Sequence, residues 1–328
     1  MNISTKILNR TLLLALGTLM CTFVEAQTPH TDTPQQGEGL GAFLLRNGYN
    51  VSKYKDKFIE LNANRFGKDY GLLLGVKYVF PEKQNQIEEP LLGEANKMVT
   101  IEDDELYGAT YYLISGHGGP DPGAIAKVGE KELHEDEYAY DVMLRLAKCL
   151  LSHNAKVHII IQDPNDGIRD DAYLSNDDHE TCVGAAIPLD QNERLQQRCD
   201  AVNNFYKTER TGYCRTVIIH LDSRTESTRI DVFAYYFTKS KMGQRLAQNV
   251  IDKLKTKYDY YQPGRGFLGE VKERQLYVLR ETNPPAMFLE LGNIQNDKDR
   301  LRFIKPSNRK AVAEWVAEGM IEDFKMSK

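Results

Sequence analysis

Apolar residues along this chain follow two alternating rhythms. The runs "ATYYLI", "KVHIII", "TVIIH", "VFAYYF" and "AMFLEL" are short and rich in β-branched or aromatic residues. They predict strands at 109–114, 156–161, 216–220, 232–237 and 286–291, with a sixth at 276–279. Between them, apolar residues recur three and four apart, which predicts helices over 135–152, 192–207, 243–258 and 309–324. Tyr138, Val142, Leu146, Cys149 and Leu150 share one face of the first. Strand and helix in alternation imply the α/β class, a single mixed sheet flanked by helices.

The first third of the chain is organised differently. Lys6 and Arg10 precede the apolar run "TLLLALGTLMCTFV", which ends at Val24 and is followed by Glu25 and the small Ala26, so residues 1–26 read as a secretory signal peptide. That run is too short for a membrane span. Residues 27–36, "QTPHTDTPQQ", read as a polar tether. Over 37–82, Leu40, Phe43 and Leu44, then Tyr54, Phe58 and Leu61, have helical spacing, and "VKYVFP" predicts a strand closed by Pro81. Residues 83–106 turn polar and acidic and are expected to be a linker to a domain over 107–328.

Composition narrows the function. A hydrophobic content of 41% suits a sizeable core, and a formal net charge of -5 with no basic tract excludes a nucleic-acid binder. Loss of the leader would remove Lys6, Arg10 and Glu25 and leave the chain one unit more negative. A secreted or periplasmic location would leave Cys149, Cys182, Cys199 and Cys214 in an oxidising compartment, where they allow three complete pairings. Cys182 with Cys199 is the expected pair.

Four residues stand at element ends where open α/β sheets gather ligands. His117 follows a strand inside "SGHGGPDPGA", where the glycines let backbone approach closely. His220 closes "RTVIIH", Glu135 opens the long helix, and Glu290 ends the apolar run "AMFLE", where an acidic group needs a cation or hydrogen-bond donors. Two imidazoles, one carboxylate and an open fourth position form a common catalytic zinc set, with the other carboxylate free to act as general base. His134 competes with Glu135, but adjacent helical residues point about 100 degrees apart, so only one faces the site. His153, His158 and His179 are expected to serve structure or solvent.

The segment from Tyr107 to Phe324 closely resembles the zinc-dependent N-acetylmuramoyl-L-alanine amidases of the amidase 3 family. The residues that carry the resemblance are "ISGHGGPDPGA", "EDEYAYDVMLRLA", "LQQRCDAVN", "IIHLD" and "YVLRETNPPAMFLELGNIQN", in the family's order. The resemblance implies Zn2+ held by His117, Glu135 and His220, Glu290 as the catalytic acid–base group, and Arg198 at the family's arginine position. It also implies peptidoglycan and its muropeptides as partner, with cleavage between N-acetylmuramic acid and L-alanine; no motif identifies an activator protein. Residues 37–82, through Gly37 to Leu40, Leu61-Asn62 and Gly75 to Pro81, resemble a LysM module, which implies glycan binding. Ile114-Ser115 and Asp222 depart from the amidase pattern, and an acidic loop over 163–191, expected to rim the cleft, lengthens it. The rival readings are a zinc peptidase or carboxypeptidase acting on stem peptides and a peptidoglycan-binding protein without turnover.

Overall fold

The computed structural model describes residues 29–209 and 212–328, so the expected leader lies outside the described residues. The described residues form two compact units, one ending at Glu82 and the other beginning at Lys83.

In the first unit the order is strand β1 (Thr31–Asp32), helix α1 (Leu40–Arg46), helix α2 (Val51–Leu61) and strand β2 (Tyr78–Val79). The two strands pair antiparallel. Phe43, Leu44, Tyr54, Phe58, Tyr78 and Phe80 bury against one another. The tether expected over 27–36 is thus partly structured. Arg46 fixes it, its guanidinium lying 2.7 Å from both Asp32 and Glu38. Leu61, expected on the apolar face, is exposed because α2 ends there and the chain turns Asn62 inward instead. The Asn62 side chain donates to Phe58 O and Val79 O and accepts from Val79 N, clamping the helix end to the strand.

The second unit begins with residues expected to be a linker. Strands β3 (Gln86–Glu88) and β4 (Met98–Thr100) form a hairpin, and Leu92, Val99 and Leu106 bury in the main core. Polar composition concealed three apolar anchors, which suffice to dock a hairpin. There follow β5 (Ala109–Ser115), the hairpin β6 (Ile125–Val128) and β7 (Lys131–His134), α3 (Glu135–Ser152), β8 (Lys156–Ile159), β9 (Ile161–Gln162), β10 (Thr181–Cys182) and β11 (Ala185–Ala186). Then come α4 (Gln191–Thr208), β12 (Tyr213–Asp222), β13 (Phe233–Tyr236), α5 (Lys241–Tyr261), β14 (Glu270–Glu273), α6 (Tyr277–Glu281), β15 (Ala286–Asn293), α7 (Asp297–Ile304) and α8 (Pro306–Lys325). The segment 276–279, read as a strand, opens helix α6, since a run of four apolar residues carries no decisive period.

Among the described residues the central sheet has six strands in the order β14-β13-β15-β12-β5-β8. Neighbours are parallel except for β13 beside β15, which makes the sheet mixed. Strand alternation feeds two cores. Tyr111, Leu113, Val217, Ile219, Met287 and Leu289 face α3, α5 and α8, while Tyr112, Ile114, Ile218 and Phe288 face α4 and α6. All four described cysteines are free thiols, so the expected Cys182–Cys199 bridge is not made. Both side chains serve the second core as small apolar groups, and burial pushes their thiols up, to about 11 and about 12.

A buried ion pair ties these layers together. Arg309 on α8 is fully buried, donates Nε to Asp141 Oδ2 of α3 at 2.6 Å, and reaches the carbonyls of Arg169 and Asp171 at 2.7 and 2.9 Å. Asp141 also accepts from Arg145 Nε and Arg169 N. Removing Arg309 leaves the buried Asp141 carboxylate with Arg145 as its remaining cation and takes a donor from the carbonyls of Arg169 and Asp171. Arg309→Met is therefore expected to lower stability by about 3–5 kcal/mol, read from urea unfolding of the whole chain; a loss below about 1 kcal/mol would contradict this account of the pair.

Candidate active site

Sheet geometry sets the site. In β12 and β15 the parity that sends Ile218 and Phe288 to one face sends His220 and Glu290 there too, and these two are partners in the parallel register. The His220 ring stacks on Phe288 at 4.4 Å between centroids. On the other side β5 ends at Ser115, and Gly116 N donates to Ile219 O. A Cβ on Gly116 would lie 2.3 Å from His220 Cε1, so only glycine lets the backbone pass. His117 follows in the left-handed region with φ of 58°, a costly conformation for a residue with a side chain. Gly123 closes the turn, where a Cβ would lie 2.7 Å from His117 Cδ2 and 2.9 Å from Glu135 Cβ.

Glu135 is the first residue of α3 and points across the strand ends. Its Oε1 accepts from Leu221 N at 3.1 Å and lies 2.9 Å from His220 Nδ1 and 3.2 Å from His117 Nε2. Its Oε2 accepts from Ala124 N at 3.0 Å. One ligand atom from each of His117, Glu135 and His220 lies within 4.8 Å of the others, a set that could hold a metal ion. His134 turns away and sits 3.4 Å from Glu132.

The charges are strongly coupled. Burial raises the Glu135 carboxyl, but hydrogen bonds from both imidazoles outweigh it and hold the group well below the carboxylate range. Burial disfavours the His117 cation, yet Asp121 and Glu135 override it and push the ring up to about 10. Burial holds the His220 ring down, against the pull of Glu135. Glu290 has the opposite fate: burial, then the charges of Glu135 and Asp222, raise it well above its ordinary value. Its Oε2 is buried without a hydrogen-bond partner.

Supporting contacts went unread in the sequence. Asp121 Oδ2 lies 2.9 Å from His117 Nδ1 and accepts from Arg194 at 2.6 Å, so a guanidinium, a carboxylate and an imidazole form a chain into the site. The turn "GGPDPGA" held that signal, as a carboxylate four residues past a candidate ligand. Arg198 donates to His117 O at 3.1 Å, which braces the strained residue. Of the departures, Ser115 is buried and lends its carbonyl to Arg198 at 3.5 Å, while Asp222 pairs with Arg224 at 2.6 Å. His153 and His158 pair with Asp103 and Glu209 away from the site, and His179 is exposed on the acidic loop beside Asp177. That loop is folded: Asp163, Leu174, Glu180 and Ile187 are buried, and Glu180 Oε2 accepts from Gly119 N, two residues past His117.

Residues 112–322 match the family described as N-acetylmuramoyl-L-alanine amidase, amidase 3, and the chain belongs to that family. It is similar to a probable cell wall amidase, LytH, of Staphylococcus epidermidis, with 26% identity over 225 residues, 69% of this chain and 62% of that protein. The Staphylococcus aureus LytH is 25% identical over 229 residues, 67% of this chain and 60% of that protein. The chain thus spans about three fifths of the length of these relatives. Among solved structures, the CwlD amidase of Clostridioides difficile, in complex with the GerS lipoprotein, gives a TM-score of 0.48 at 18% identity over 66% of this chain and 98% of its own. The amidase AmiC2 of Nostoc punctiforme gives 0.46 at 21% identity over 67% and 99%.

Gly116→Ala tests the packing at the centre of the site. The added methyl must drive the His220 ring off Glu135 Oε1, so zinc affinity, measured by competition with a chromogenic chelator, is expected to fall at least about tenfold. Unchanged affinity would show that the ring has room to move.

Proposed function

We propose that this member of the amidase family hydrolyses the amide between the lactyl group of N-acetylmuramic acid and the L-alanine of the peptidoglycan stem, outside the cytoplasm. The observation that carries the reading is the convergence of His117, Glu135 and His220 within 4.8 Å beside Glu290, whose buried oxygen lacks a partner. Two imidazole nitrogens and one carboxylate oxygen suit Zn2+, and three protein ligands leave a position for water and substrate. Zinc bound there supplies Lewis acidity, polarising a carbonyl and acidifying a water.

The remaining chemistry falls to the chain. Asp121, on His117 Nδ1, fixes the tautomer that presents Nε2 to the site. Glu290, whose raised proton affinity a dication held by the three ligands would offset, takes the proton of the attacking water and hands it to the departing amide nitrogen, so one side chain serves as base and then as acid. No serine or cysteine nucleophile is needed.

We also read the first unit as a LysM-like glycan-binding module. Its strand–helix–helix–strand order and the clamp at Asn62 support this. Among the described residues no helix is long and apolar enough to cross a membrane. Deleting residues 27–82, a cut that spares the core anchors Leu92, Val99 and Leu106, is expected to weaken pelleting with intact sacculi. Hydrolysis of soluble muropeptides should persist. Equal pelleting by both chains would refute the module.

The main test is Glu290→Gln. It keeps shape and removes the proton carrier, so the chain should retain about one zinc while turnover falls roughly 100-fold to 10,000-fold. His220→Ala should lose zinc and turnover together. Mass spectrometry of muropeptides reads the outcome: freed stem peptide supports the amidase, whereas a shortened peptide still joined to the sugar would make the chain a peptidase.

A further inference from the structure

The first turn of α3 carries three consecutive buried carboxylates, Glu135, Asp136 and Glu137. Glu135 serves the site described above. The other two face the acidic loop, where Asp136, Glu137 and Glu180 bring carboxylate oxygens within 4.8 Å of one another. Asp163, Asp177 and Glu180 form a second such group, with Glu180 common to both. Five carboxylates therefore meet around Glu180.

Their partners do not match that charge. Arg169 pairs with Glu137 at 2.7 Å and also with Asp166. His179, exposed, lies 3.1 Å from Asp177. Backbone N–H groups of Gly119, Asn165 and Asp177 reach Glu180, Asp163 and Glu137. Asp136 is 2% exposed; its Oδ1 accepts from Glu137 N, but its Oδ2 is buried with no hydrogen-bond partner. A buried carboxylate oxygen without a donor, beside two more carboxylates, costs free energy that a cation would recover.

The donor set identifies the cation. Every ligand is a carboxylate oxygen, which suits a hard ion and disfavours zinc, whose sites favour nitrogen and sulfur. Calcium binds oxygen at about 2.3–2.6 Å, so oxygens on opposite sides of it lie up to about 5 Å apart, the span seen here. Magnesium demands a near-regular octahedron and keeps its waters, which a buried carboxylate cluster does not offer.

We propose that the chain binds a calcium ion between Asp136, Glu137 and Glu180, flanked by Asp163 and Asp177. The ion joins the acidic loop to the helix that carries Glu135. Because Glu180 also holds Gly119 N at 2.9 Å, it fixes the turn that carries His117 as well. The proposal stands independently of the amidase reading, since it concerns another cluster and another metal.

The test uses the full chain, dialysed free of calcium and loaded with zinc, with the content of both metals measured by atomic emission. Extracellular calcium sites bind at about 0.1–1 mM, so roughly 10 mM CaCl2 should raise the unfolding temperature by about 5–10 °C. Calorimetric titration should give about one calcium per chain. In Asp177→Asn and Glu180→Gln the rise should shrink and affinity fall at least about tenfold, with zinc content unchanged in Asp177→Asn, which does not touch the turn that carries His117. Each variant removes one of several mutually repelling charges, so both should fold without calcium at least as well as the parent. A parent whose melting ignores calcium would overturn the proposal. So would an equal rise in the parent and both variants, which would place the calcium elsewhere.

Discussion

The unit from Lys83 onward is organised around one buried negative charge, the carboxylate of Glu135. An ionised group so far from water survives only where donors and cations surround it. Two of its donors are backbone N–H groups, from Ala124 and Leu221, and two are imidazoles. Its place at the first position of α3 adds the positive end of the helix dipole. The demand is for compensating positive charge midway between His117 and His220. A protonated imidazole meets it, and a dication at the same point would meet it more fully, so the arrangement that stabilises Glu135 is also one that could hold a metal ion.

The sheet makes that arrangement possible. Parallel strands end in register at one edge, and alternation decides which side chains face each core, so His220 and Glu290 arrive side by side without any loop to place them. His117 is different: it has left β5 and must fold back over the neighbouring strand. That return needs Gly116 beneath the His220 ring and a left-handed His117 above it. Arg198, anchored on α4, holds the strained carbonyl from the opposite layer. Precision at the cluster of His117, Glu135 and His220 therefore rests on contacts from both cores.

Much of this was legible in the chain. The central strands and the long helices announced themselves by period, and His117, Glu135, His220 and Glu290 stood at element ends, where the structure brings them together. What escaped lacked a period or was nonlocal. The hairpin over 86–100 was hidden because a polar segment needs only Leu92, Val99 and Leu106 to dock. The short run at 276–279 fitted strand and helix equally. The Asp121–Arg194 pair joins residues 73 positions apart, a relation that no local pattern encodes. Cys182, expected in a polar loop, and Cys199, expected on a helix, suggest a bridge, whereas both are buried as free thiols in one apolar cluster.

The three acids that open α3 show how one helical turn can serve two neighbourhoods. Successive residues point about 100 degrees apart, so Glu135 is thrown toward the strand ends and Asp136 and Glu137 toward the acidic loop. All three draw on the same helix dipole, and three adjacent anions repel one another, so neither neighbourhood is electrostatically independent of the other. The mechanical connection runs in parallel: Glu180 holds Gly119, and Gly119 belongs to the turn that bears His117. Arg309 and Arg145 fix the near end of the same loop through the carbonyl of Arg169. Charge neutralised around Glu180 is therefore felt at His117 by two routes, one through the field at the head of α3 and one through the backbone of the glycine turn.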